Sequence, residues 1–144
     1  MRTWILSLVL PLLLAITVRP QQVAIQPVPI RETSWASGPE MYGEYCAACH
    51  GNNGRGHGPV GRAFNVPPAD LTTLAQRNHG KFPYRKFDLV MRFGTDTPAH
   101  GSARGFKAMP VWGPLFASLP NQTEAIIQQR INNLADHVAS LQVK

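Results

Sequence analysis

The reading of this chain turns on residues 46–50, Cys46-Ala47-Ala48-Cys49-His50, which lie directly behind Met41-Tyr42-Gly43-Glu44-Tyr45 and ahead of Gly51. The residues upstream carry helix signals. Ser37 followed by Glu40 makes a capping box, Pro39 suits a first turn, and Met41, Tyr42, Tyr45 and Ala48 recur at helical spacing. A helix running into the pentapeptide turns Cys46 and Cys49 to one side, with His50 close behind. The chain has 2 cysteines in all, so no disulfide framework can be drawn. A zinc site needs two further ligands, and His57, His79, His100 and His137 form no H-x3-5-H pair. A thioredoxin-type pair calls for a βαβ setting, which the sequence lacks, and has no use for a histidine directly after the second cysteine. A plain Cys46–Cys49 disulfide is the bland alternative.

The reading that uses all three side chains is covalent haem attachment. Two thiols on one helix face can add to the two vinyl groups of a single haem c, and His50 follows closely enough to reach its iron. The iron then needs a second axial ligand. Of the four methionines, Met1 lies in the leading apolar run, Met41 one turn before Cys46, and Met91 on an apolar helix face. Met109 differs. It stands in Ala108-Met109-Pro110-Val111-Trp112-Gly113, a loop that Pro110 keeps out of helix and that Gly105 and Gly113 leave free to fold over a cofactor. A thioether favours Fe(II), so His50/Met109 ligation raises the potential, whereas His100, in Ala99-His100-Gly101, is the competing ligand and would lower it.

Working outward, residues 84–93 place Phe87, Val90 and Met91 on one helix face with Gly94 to close the end. Ile127, Ile131, Leu134, Val138 and Leu141 form the stripe of a final helix packed on a core. Asp70 to Gln76 suggests a short helix after Pro67-Pro68. No segment alternates in the manner of a strand, so the expected class is all-α, three to five helices wrapped around one covalently bound haem. With 144 residues there is room for one small domain and none for a large enzyme, and 13 prolines with 12 glycines leave much of the chain in loops. The net charge of +6 invites a nucleic-acid reading. Setting aside Arg2 and Arg19, which flank the leading apolar run, leaves 12 basic against 8 acidic residues without a dense block, which suits docking to an acidic partner.

That leading run, Trp4 to Val18 behind Arg2, has the layout of a secretory signal. It is short for a membrane span and Pro11 interrupts it, while Ala15-Ile16-Thr17 only approximates a cleavage site, so residues 1–19 read as a signal peptide or an N-terminal anchor. Either places the rest of the chain outside the cytoplasm. Residues 20–33, with Pro27 and Pro29, read as a linker, and 34–144 as the domain.

From Gly38 to Leu141 the chain resembles the class I monohaem cytochromes c of bacteria: an aromatic-bearing helix, then CAACHGNNGRGHGP over Cys46 to Pro59, then a Met-Pro-x-Trp-Gly loop and a final helix. The resemblance implies a single-electron carrier and no catalysis of its own. It implies that the carbonyl of Pro59 accepts from the second ring nitrogen of His50, that Leu71 in Pro67-Pro68-Ala69-Asp70-Leu71 packs on the haem edge, and that Trp112 packs near the haem. Implied partners are a redox donor and acceptor such as an oxidase, a quinol-oxidising complex or a periplasmic dehydrogenase, met by a monomer or a subunit of a larger complex. Lys81, Arg85, Lys86, Arg104 and Lys107 are candidates for the docking face. The family crosses its first and last helices through a glycine and aromatics; here Gly38 and Tyr42 are present but the last-helix position is His137, either paired with Tyr42 or exposed. The loop 94–107 is long for a minimal member. The alternative is a haem enzyme or gas-binding protein whose sixth position is open or held by His100.

Overall fold

The computed structural model describes residues 29–64, 66–94 and 109–143. The leader at 1–19, most of the linker, and His100, Arg104 and Lys107 with the loop that carries them lie outside the described residues. The fold is all-α: α1 (Gly38–Tyr45), α2 (Ala47–His50), α3 (Tyr84–Phe93), α4 (Trp112–Ala117) and α5 (Glu124–Ser140), with three short 3-10 turns between α2 and α3. Among the described residues no helix is long and apolar enough to cross a membrane.

Two helices frame the rest. The Ser37 side chain accepts from Glu40 N at 3.2 Å and starts α1; Thr123 accepts from Ile126 N at 3.3 Å and starts α5. Their crossing is tight because Gly38 has no side chain. A Cβ there would strike the carbonyl oxygen of Asn133 and come within 2.9 Å of the His137 Cβ. His137 does pair with Tyr42, ring centroids 5.0 Å apart and planes tilted by 56°, so it stands where the family places an aromatic ring. The α5 stripe of Ile127, Ile131, Leu134 and Val138 is buried against Met41 and Tyr42 of α1, Met91 of α3 and Phe116 of α4.

The chain packs before α1 begins. Ile30 lies against the core and Thr33 is buried; Tyr45 Oη donates to the Arg31 carbonyl at 2.7 Å and lies 2.9 Å from Thr33 Oγ1. Two local expectations are corrected. The helix anticipated from Asp70 to Gln76 is broken into 3-10 turns at Leu71–Thr73 and Gln76–Asn78. Gln142, just past α5, inserts its amide into the bond such a helix would need: Oε1 accepts from Ala75 N at 2.7 Å and Nε2 donates to Leu71 O at 2.7 Å. The second correction is α4 itself, since Trp112 and Gly113 were expected in loop. Pro114 falls in the first turn of that helix, where its missing N–H costs nothing, and Trp112 and Phe116, one turn apart, bury together.

Candidate haem site

The helix leading into the pentapeptide stops at Cys46, and α2 restarts at once. Cys49 N and His50 N both bond back to Cys46 O, at 3.1 and 2.8 Å, which keeps the two thiols and the imidazole on one short turn. The loop that follows folds over the end of α2: Gly56 N donates to His50 O at 2.8 Å, Gly58 N to Cys49 O at 3.0 Å and Val60 N to Ala48 O at 2.9 Å. Gly56 has φ +83, and a Cβ on it would strike the Pro68 carbonyl, so only glycine lets residues 68–71 pass this close to His50. Leu71 N donates to Gly54 O at 2.7 Å and fixes that segment.

This close passage decides the orientation of the histidine. His50 is buried, and its Nδ1 lies 2.9 Å from the carbonyl oxygen of Ala69. A carbonyl only accepts, so the proton sits on Nδ1 and the lone pair of the neutral ring on Nε2. The orienting carbonyl was expected at Pro59; that is corrected to Ala69. Pro59 is exposed on the outer side of the loop, whereas the turn begun by Asp70 brings the Ala69 carbonyl onto the ring. Asp70 holds that turn by accepting from Thr72 N at 2.8 Å and from Thr72 Oγ1 at 2.6 Å. The Thr72 hydroxyl, more than the nearby Arg55 and Arg77, keeps the Asp70 carboxyl below its ordinary range.

Between α2 and α3 lies a cavity of about 500 Å³. Leu71, Leu74, Phe87, Val90, Met91 and Val138 give it an apolar lining, and Cys46, His50 and Met109 stand on its walls. The same three residues line a smaller hollow on the other side, with Tyr45, Cys49, Trp112 and Pro110. Six of the seven sequence-predicted residues, all but Pro59, thus face two adjoining spaces: Cys46, His50 and Met109 both, Leu71 the larger, and Cys49 and Trp112 the smaller. Trp112 is held in place by rings, 5.0 Å from Tyr45 and 5.7 Å from Phe116 between centroids. Sequence reasoning missed Arg77 and Asn78, which form the polar end of the large cavity together with Lys86, a residue it singled out only for docking. Neither Arg77 nor Lys86 takes part in an ion pair among the described residues, although Arg77 Nη2 donates to Asp70 O at 2.8 Å.

The chemistry of this donor set fits a flat, largely apolar cofactor with an acidic edge. The volume is in the usual range for cofactor sites, roughly 300–1,000 Å³. The two thiols are free, on one wall, and unlike the thiolates of redox pairs: burial, with the charge of Cys49, pushes Cys46 up to about 12, and burial raises Cys49 too. Among the described residues no group of three or more His, Cys, Asp or Glu side chains could hold a metal ion by itself. The residues that would hold haem c are therefore Cys46 and Cys49 through their sulfurs, His50 through Nε2, and Arg77 with Lys86 at the acidic edge.

Compared with known proteins, residues 35–142 match the profile of the family described as cytochrome c. No similar curated protein and no similar solved structure was found.

Proposed function

The chain belongs to the cytochrome c family, and from that membership we propose that it is a single-electron carrier with one covalent haem ligated by His50 and Met109. Haem binding and electron transport come with the family; the ligand pair, the haem count and the partners are the finer reading. One observation carries it: Cys46, His50 and Met109 line the same cavity of about 500 Å³. When bound, the haem supplies a one-electron iron couple. The chain does the rest. Cys46 and Cys49 would tether it, the Ala69 carbonyl holds the proton of His50 on Nδ1 and so leaves Nε2 for the iron, and Met109 would offer a soft, neutral sulfur from the wall of the same cavity. Leu71 and Trp112 would help keep water from the larger and the smaller space, while Arg77 and Lys86 would offer charge-assisted bonds to the cofactor's carboxylates. On this reading the haem supplies the redox chemistry and the protein supplies positioning and potential.

We place the protein outside the cytoplasm, as is usual for such domains, with residues 1–19 as export signal or anchor. Its partners are redox proteins with acidic faces, met by Lys81, Arg85 and Lys86, all of them exposed. Protein produced with a haem-attachment system should keep a haem stain on a denaturing gel and gain the mass of one haem, and its reduced form should resist carbon monoxide. Rapid carbon monoxide binding would instead favour an open sixth position, and absence of the stain would end the haem reading. Neutralising Lys81, Arg85 and Lys86 together should flatten the salt dependence of electron transfer to an acidic partner; an unchanged slope would sink this docking face.

A further inference from the structure

Arg130, on α5, has 1% of its surface exposed. Its acceptors among the described residues are all neutral. Nε donates to Gln122 Oε1 at 2.9 Å, Nη1 to Thr33 Oγ1 at 3.2 Å and toward Met41 Sδ at 3.8 Å, and Nη2 to the Thr33 carbonyl at 3.0 Å. Among the described residues no carboxylate forms an ion pair with it. A guanidinium keeps its charge at any working pH, and burying one against dipoles alone is costly, whereas a methionine or leucine would fill the space without that penalty. The Thr33 acceptors stand ahead of the family match, which begins at residue 35.

The hydrogen bonds fix the guanidinium without cancelling its charge, so its field extends into the neighbouring side chains. Those are aromatic. Cζ lies 5.8 Å from the centroid of Phe116, Phe116 lies 5.7 Å from Trp112 and 5.5 Å from Tyr45, and Trp112 and Tyr45 line the hollow shared with Cys46, His50 and Met109. Rings of this kind screen a charge far less than water does. The oxidised site carries one more positive charge than the reduced site, the electron arriving from a protein donor and leaving to a protein acceptor, with no proton required.

We infer that Arg130 is a built-in electrostatic element of the redox site, a buried cation without a carboxylate partner among the described residues, which disfavours the oxidised form and so raises the reduction potential. The inference rests on the carrier reading above. Because the charge is interior, its effect survives high salt, unlike that of the surface lysines.

Gln122→Glu tests it: one carboxylate oxygen stands where the amide oxygen already accepts from Nε, while the other replaces the Nε2 that donates to Pro120 O at 2.8 Å and so gives up that exposed bond. In the haem-loaded protein this variant should shift the electron-exchange equilibrium with a fixed mediator toward the oxidised form by roughly three- to tenfold, tenfold being about 59 mV for one electron. The shift should be the same at low and high salt. Arg130→Lys, which keeps the charge and loses the planar fork, should be less stable yet hold a potential close to that of the unaltered protein. An unmoved potential in Gln122→Glu, or a drop in Arg130→Lys as large as that in Gln122→Glu, would overturn the inference while leaving the carrier intact. If the unaltered protein takes up no covalent haem, the carrier reading falls and the inference falls with it.

Discussion

At the scale of single residues, the orientation of His50 depends on a carbonyl held by a carboxylate. Asp70 pins the turn whose preceding carbonyl, that of Ala69, receives the Nδ1 proton. Because the carboxyl of Asp70 is held below its ordinary value, it stabilises the fold above the unfolded pKa, and that stabilisation is lost as pH falls through the lower folded value. Asp70→Asn should therefore lower the urea midpoint of the haem-loaded protein at pH 7, and the deficit should close at pH values below about 4. An equal deficit at pH 7 and in acid would contradict this role. The sequence singled out Cys46, Cys49 and His50 by their spacing and Met109 by its loop, and the structure brings all four to the walls of the two adjoining spaces. The orienting group was not legible in it. It is a backbone oxygen, every residue has one, and Pro59 was chosen only by resemblance, while the position that serves is an alanine with no distinguishing side chain.

At the scale of elements, the crossing of α1 and α5 sets where the pentapeptide sits. Gly38→Val would push a branched side chain into the Asn133 carbonyl and the His137 Cβ. A loss of about 1–3 kcal/mol in denaturant unfolding is expected. His137→Ala should not restore it, because the nearer obstacle is backbone; full rescue would show that the crossing is set by side chains alone. The helices that stand on their own periodicity, α1, α3 and α5, were legible, and Gly94 closes α3 with its N–H on Val90 O at 2.8 Å. The segment at 70–76 was not, because a residue about seventy positions away, Gln142, takes over its backbone partners. α4 was missed for a related reason. Its six residues include two that disfavour helix, Gly113 and Pro114, and its stability comes from the rings that Trp112 and Phe116 bury.

At the scale of the whole molecule, the core is organised around a space. Leu71, Leu74, Phe87, Val90, Met91 and Val138 face a cavity of about 500 Å³, and a flat apolar occupant would take their surface out of water. The double variant Cys46→Ala/Cys49→Ala, unable to tether haem, should lose much of its helical circular dichroism; native helicity in haem-free protein would show that the helices pack without it. The family and the all-α class were legible because the attachment motif and the helix stripes are local patterns, whereas the buried charge of Arg130 was not, since only the packed chain brings Thr33, Gln122 and Phe116 around it. The central claim is that His50 and Met109 together hold the iron. It is tested most directly by the optical spectrum of the oxidised, haem-loaded protein beside that of Met109→Ala. The account predicts a weak long-wavelength sulfur-to-iron charge-transfer band that the substitution abolishes while the haem stays attached; a spectrum without the band, or a band indifferent to the substitution, would contradict it.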